Sequence, residues 1–308
     1  MAAITVPVGH TRTRMRGKRL RDTLAAYGFI SPWLIGFLCF TGGPILASFV
    51  LSFFSWKMLA PPKFIGLDNY INMFTVDPLF RTSLWVTIKF VIISVPLSQA
   101  LAMLLAILLN QKIRLAGLWR TFFYLPAIVS GVAGAAIWSW MYHGELGIFN
   151  HLLQLVGIEG TNWLVNKDTA MGALILKSLW NVGVPMVIYL AALQQMPKEL
   201  YEAAEIDGAG EIPKFFNITL PMLSPAIFFN VVMGFIGGIQ TFTEPYVMTS
   251  GGPDNATLFL GLHMYQSAFS YLKMGYASAM AWIMFLMIFG LTVIQFKLGS
   301  FWVYYENG

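Results

Sequence analysis

Six runs of apolar residues, each long enough or nearly long enough to cross a bilayer, set the limits on what this chain can fold into. They lie near Ala26 to Phe54, Leu84 to Leu109, Thr121 to Met141, Gly172 to Leu193, Ser224 to Phe242 and Ser278 to Phe296. A hydrocarbon core about 30 Å thick takes roughly 20 helical residues at 1.5 Å each. The runs are continuously apolar, whereas a membrane barrel strand alternates its two faces over about ten positions. Only helices and closed barrels satisfy their own backbone in lipid. With 57% hydrophobic and 11% charged residues, the chain carries less than half the charge of a soluble domain, about a quarter. The expected fold is an all-α membrane protein with six transmembrane helices. The first run is about twice the length of a signal-peptide core and no small-residue cleavage site follows, so it predicts an uncleaved helix.

Basic residues orient the spans. Arg12, Arg14, Arg16, Lys18, Arg19 and Arg21 crowd the N-terminal tail, and a cytoplasmic tail also puts Lys112, Arg114, Arg120, Lys198, Lys214 and Lys297 in the cytoplasm. That gives 12 basic residues inside against six outside, namely Lys57, Lys63, Arg81, Lys167, Lys177 and Lys273, with Lys89 within a span. The asymmetry follows the positive-inside rule and predicts a multi-pass protein of the cytoplasmic membrane with both termini cytoplasmic. The expected division is a basic cytoplasmic tail (1–23), the first helix with an extracytoplasmic loop (24–83), a helical core (84–300) and a cytoplasmic C-terminus (301–308). The net charge of +5 bears on topology and on membrane lipids, and nothing in it points to nucleic acid.

Within the third run, Pro126, Ser130, Gly131 and Gly134 predict an interruption and close helix contact. The scattered His143, His151 and His263 lack metal-ligand spacing, so no metal site is expected. No nucleophile elbow, zinc-binding helix or Walker A loop is present in the sequence. The expectation is a protein that is not itself an enzyme.

Between the fourth and fifth runs lies a polar segment, 195–221, which the topology places in the cytoplasm. Pro197 is suited to start a helix, Glu199, Glu202 and Glu205 recur every three residues near the positive end of its dipole, and Leu200, Ala203 and Ala204 make a small apolar side. Asp207-Gly208 predicts a left-handed stop. A second short helix is expected from about Gly210 to Asn217, re-entering the membrane at Leu220-Pro221. Five of the chain's 14 acids fall within Glu199 to Glu211, which suits a docking element for a basic groove. A merely solvated loop needs no such spacing.

In the fifth run Gly234, Gly237, Gly238, Thr241 and Glu244 share one helical stripe. One reading is helix packing through glycine, the other a lining that leaves room for a solute. Both can hold on different turns. An ionisable residue in a span normally faces a cavity or a partner, which gives Glu244 either that position or the outer interface. In the fourth run "WNVGVP" sets the Trp180 indole, the Asn181 amide and a kink at a comparable depth, suited to the ring faces and hydroxyls of a sugar.

The segment Glu202-Ala203-Ala204, with Gly208 after three further residues and Ile218-Thr219-Leu220-Pro221 after nine more, resembles the EAA signature of the membrane subunits of ABC importers that depend on a solute-binding protein. "FIGLDNY", "LAMLLAILLN", "RTFFYLP", "LAALQQMPKELYEAAEIDGAG", "TSGGP" and "GYASAMAW" resemble the maltose-type and glycerol-phosphate-type permease subunits of carbohydrate importers. "GGP" resembles the first subunit of the heteromeric pair. Unlike the maltose-type subunit, this chain has no large extra outer domain. The resemblance implies that Glu202, Ala203, Ala204, Asp207, Gly208, Leu220 and Pro221 belong to a coupling helix and its flank, seated in a cleft of a partner ATPase. It also implies that Asn181, Gly234, Gly238 and Thr241 lie near substrate contacts. The implied partners are a second permease subunit, an ATPase subunit dimer and an extracytoplasmic solute-binding protein. No cofactor is expected in this chain, ATP and Mg being bound by the partner ATPase. The alternatives are a secondary transporter of small polar solutes, which needs an ion-coupling group in its spans, and a membrane-bound enzyme, which needs an acid, base or metal cluster.

Overall fold

The computed structural model describes residues 12–111 and 113–304. The expectations for residues 1–11, Lys112 and residues 305–308 fall outside these. Helix α1 (Arg12–Phe37) passes through a widened π turn at Leu38–Gly42 into α2 (Gly43–Leu51). Pro44 explains the widening: it has no amide to give and its ring displaces the carbonyl four residues back. A two-residue antiparallel ladder, β1 (Phe54–Ser55) with β2 (Lys63–Phe64), leads to α3 (Asp68–Thr75). Then comes α4 (Pro78–Asn110), 33 residues long, with Pro78 in its first turn. Its cap is Asp77, whose carboxylate accepts from the Leu79 amide at 2.9 Å, satisfying a donor that a helix start leaves free.

The predicted interruption of the third span is a sharp bend. Helix α5 (Ala116–Tyr124) and a short 3₁₀ stretch at Leu125–Ile128 meet α6 (Gly131–Met141) at 101°. After α7 (Ile148–Leu155), the fourth span is again two pieces, α8 (Lys167–Leu179) and α9 (Gly183–Gln194), at 43°. The joint is tight, since a side chain at Gly183 would come within 2.4 Å of the Phe123 carbonyl on α5. Next come α10 (Lys198–Ile206), α11 (Glu211–Lys214) and α12 (Leu220–Ile239). The sequence predicts a separate short helix ending near Asn217, and here the structure differs. A π turn at Phe215–Thr219 makes Glu211–Ile239 one continuous helical run. Pro221 follows closely on the π turn, as Pro44 does on the first one, and has no amide to give back to it. The chain closes through α13 (Leu260–Tyr265) and α14 (Met274–Gly299).

Among the described residues four helices suit a membrane span by length and apolarity, and there are up to six spans if each bent pair counts as one. Helix α4 is the hub, packed against α8, α9, α12 and α13. Its first half joins a core that includes Phe80, Phe90, Val95, Leu174, Phe259 and Met280. Its second half joins another, built from Ala102, Ala106, Met186, Tyr189 and Leu223. The first span stands apart. None of its most apolar window is buried within the chain, and α2 packs on α14, where Trp282 Nε1 donates to Ser48 Oγ at 3.2 Å.

Candidate functional site

Where the two cores meet, α4, α8, α9 and α12 leave a cavity of about 530 Å³. Asn181, Gly234, Gly238, Thr241 and Glu244, singled out from sequence, all line it. Helix α4 adds Ser94, Ser98 and Gln99, α8 adds Ser178 and α12 adds Asn230, while Phe90, Phe229 and Phe259 supply ring faces. These polar groups are missed by a reading that weighs whole runs by apolarity, although Ser94 and Ser98 are an i, i+4 pair in a greasy helix. Gln99 and Asn230 are fixed by a network. Tyr189 Oη donates to Gln99 Oε1 at 2.9 Å, Gln99 Nε2 to the Asn230 carbonyl at 3.2 Å, and Asn230 Nδ2 to the Pro185 carbonyl at 3.3 Å.

The glycine stripe divides between its two readings. A side chain at Gly234 would come within 2.9 Å of Val95, and one at Gly238 within 3.0 Å of Val91, so these two let α12 lie close against α4. Gly237 has nothing within 4 Å of where a side chain would start, and it lines the cavity. Trp180 does not join this site. It faces a neighbouring apolar cavity of about 410 Å³ with Leu101, Phe122, Pro126 and Val129, its ring centroid 6.0 Å from that of Trp138. At the helix break successive side chains part to opposite sides, so Asn181 faces one cavity and Trp180 the other.

Glu244 has a partner that the topology count placed outside the spans. Lys177 lies within α8, 2% exposed, and its Nζ donates to Glu244 Oε1 at 2.5 Å. With Lys177 in a helix, the basic count becomes 12 against five. A lone charge there would be costly, and pairing is what makes two such groups tolerable in a span.

At the far end of α12 stands the Glu202-Ala203-Ala204 segment. Pro197 is the N-cap of α10, and Asp207 its C-cap. Gly208 adopts φ +78°, its amide bonds the Glu205 carbonyl at 3.0 Å and the Ala209 amide bonds the Ala204 carbonyl at 2.8 Å. This pair of bonds is a Schellman cap, which a glycine accommodates without strain. Tyr201 Oη meets Thr219 Oγ1 at 2.9 Å. Lys214 Nζ, buried, pairs with Glu205 at 3.0 Å and Glu211 at 2.7 Å. Two of the five acids therefore pair with Lys214, while Glu199, Glu202 and Asp207 are exposed and make no salt bridge among the described residues. Beside them Ile206 and Ile212 are 88% and 73% exposed. Leu220 and Pro221 belong to the first turn of α12.

A second polar cluster sits at the other end of α4. Asp77 Oδ2 accepts from Tyr276 Oη at 2.5 Å and lies 3.2 Å from His263 Nε2. Burial pushes the Asp77 carboxyl up, but hydrogen bonds from Tyr276, His263 and the Leu79 amide, with the His263 charge, outweigh it and hold the group below its ordinary range.

The sequence family described as "Binding-protein-dependent transport system inner membrane component" matches residues 98–300. Over 291 residues the chain is 46% identical to the probable ABC transporter permease protein YesP of Bacillus subtilis (strain 168), covering 93% of this chain and 94% of that one. It is 34% identical over 284 residues to the arabinooligosaccharides transport system permease protein AraP of the same organism, covering 90% and 89%. In fold it is similar to a chain of a bacterial ABC transporter involved in the import of the acidic polysaccharide alginate, with a TM-score of 0.82 over 93% and 98% of the two chains at 21% identity. A bent span beside a cavity with polar groups in its lining, a capped helix at the opposite end of α12 and near-full-length relatives agree: this chain belongs to the inner membrane component family of binding-protein-dependent transport systems, the permease subunits of ABC transporters.

Proposed function

We propose that this permease imports a carbohydrate, taking it from an extracytoplasmic solute-binding protein and passing it through the cavity between α4, α8, α9 and α12. A second permease subunit completes the path, and a cytoplasmic ATPase dimer, which binds ATP and Mg, drives it. The observation that carries the reading is the placement of two features at the two ends of one helix. Gly234 lies 14 residues along α12 from Leu220, about 21 Å at 1.5 Å per residue, so a push at the capped α10 reaches the cavity wall through a single continuous helical run. In this reading Glu202, Ala203, Ala204, Asp207 and Gly208 form the coupling surface, with Ile206 and Ile212 as apolar contacts. Leu220 and Pro221 transmit the motion as a rigid body. Asn181, Thr241 and Glu244 contact the solute, and Gly234 and Gly238 shape the wall. The lining suits a sugar, with amides and hydroxyls for its hydroxyl groups and phenylalanine rings for its apolar faces. AraP, whose name assigns it to arabinooligosaccharides, supports the substrate class. Both termini and 195–221 are cytoplasmic, as the 12 to five basic asymmetry favours.

The test is uptake of labelled arabino-, malto- and galacto-oligosaccharides into proteoliposomes that hold this chain with its partner subunits. Uptake that requires both ATP and the binding protein is expected. Uptake driven by an ion gradient without ATP would overturn the reading in favour of a secondary transporter, for which the Lys177–Glu244 pair would be the ion-coupling group.

A further inference from the structure

The buried ion pair places its two charges in series. Lys177 is 2% exposed, while the Glu244 side chain keeps 24% of its exposure and lines the cavity. The ammonium therefore stands behind and the carboxylate in front, with α8 supplying one and the segment beyond α12 the other. The ammonium donates to Glu244 Oε1 at 2.5 Å, and an ionised carboxylate only accepts hydrogen bonds. What the cavity offers at this point is an acceptor for hydroxyl donors, and O–H···O⁻ bonds are about twice as strong as neutral ones. An anionic solute group would meet a like charge there.

We infer that Lys177 is a specificity-determining positioning residue: seated behind Glu244, it holds that carboxylate turned to the cavity, so the path accepts neutral polyhydroxylated solutes and rejects uronates. This rests on the carbohydrate reading above. The fold itself does not impose the selectivity, since a structural relative at 21% identity belongs to an importer of an acidic polysaccharide. The competing view makes the pair a structural tie between α8 and the segment after α12, with no influence on which solute binds.

Infrared difference spectra of the assembled importer, wild type minus Glu244→Gln, isolate the Glu244 band without any solute. The wild-type band is expected at the position of a lysine-paired carboxylate, and the Glu244 band of Lys177→Met, isolated against the double variant, is expected to move away from it. An unmoved Glu244 band in Lys177→Met overturns the role of Lys177. Selectivity is read by equilibrium dialysis of arabinotriose and trigalacturonate against the assembled permease and ATPase subunits without the binding protein, which would impose its own preference. The wild type should favour arabinotriose. The double variant Lys177→Met/Glu244→Gln leaves no lone buried charge and should shift the ratio at least about tenfold toward trigalacturonate. An unchanged ratio in a double variant that still co-purifies with its partners overturns the selectivity in favour of the structural tie. Failure of both probes to bind any form, with the infrared result intact, overturns the carbohydrate reading and the selectivity with it.

Discussion

Gly237 and Gly238 are neighbours in sequence with opposite surroundings. Gly237→Leu places its side chain in open space beside the cavity. It should leave the subunit assembled and reduce uptake at least about tenfold by filling the path. Gly238→Leu drives a side chain into Val91, and overpacking of that kind costs about 1–3 kcal/mol, so the complex should lose thermal stability or fall apart. Uptake and co-purification measured on the same preparations decide it, and a disassembled Gly237→Leu complex would count against a solute path at that position. The glycine stripe was legible in the sequence because small residues at helical spacing stand out in an apolar run. Which glycine packs and which lines was not legible, because it depends on the azimuth of α12 against α4. Lys177 was missed for a related reason: a basic residue near the end of an apolar run reads as a loop anchor until its carboxylate, 67 residues away, is seen beside it.

Among elements, α10 is held by more than its own backbone. Lys214 bridges Glu205 on α10 and Glu211 at the start of the run that becomes α12, tying the capped helix to the helix it moves in the proposed mechanism. Both carboxylates are largely exposed and can turn to water, so Lys214→Met should cost the fold little, with the melting temperature of the assembled complex nearly unchanged. The coupling should suffer more. ATPase stimulation by the loaded binding protein is expected to fall several-fold while basal hydrolysis persists, and undiminished stimulation would show that the strut is dispensable. Most element boundaries were readable, since α4 and α14 extend only a few residues beyond the apolar runs that predict them. The continuity of α11 into α12 was not. A proline at a polar-to-apolar boundary reads as a stop, whereas the π turn at Phe215–Thr219 absorbs the change within one helical run. The break at Gly183 was expected as a kink, but its contact with the Phe123 carbonyl joins parts of the chain that no local pattern connects.

At the scale of the whole molecule, class and span number follow from composition and run length, while the cavity arises only when α4 packs between α9 and α12. The proposed orientation is open to a direct check. In a Cys39→Ser background, Gly210→Cys should react with a membrane-impermeant maleimide only from the cytoplasmic face of oriented vesicles, and labelling from the other face would invert the topology. The loose seating of the first span bears on how the chain is made. The side-chain hydrogen bond between α2 and α14 joins Ser48 to Trp282, 234 residues later, an interval of roughly 12 to 47 s at a synthesis rate of about 5–20 residues per second. Through that time the first span is without α14 as a neighbour. It needs none, because a helix satisfies its own backbone and its apolar sides dissolve in lipid. A span made ahead of the bundle is thus one that can wait for it in the membrane, and birth order and packing order run the same way.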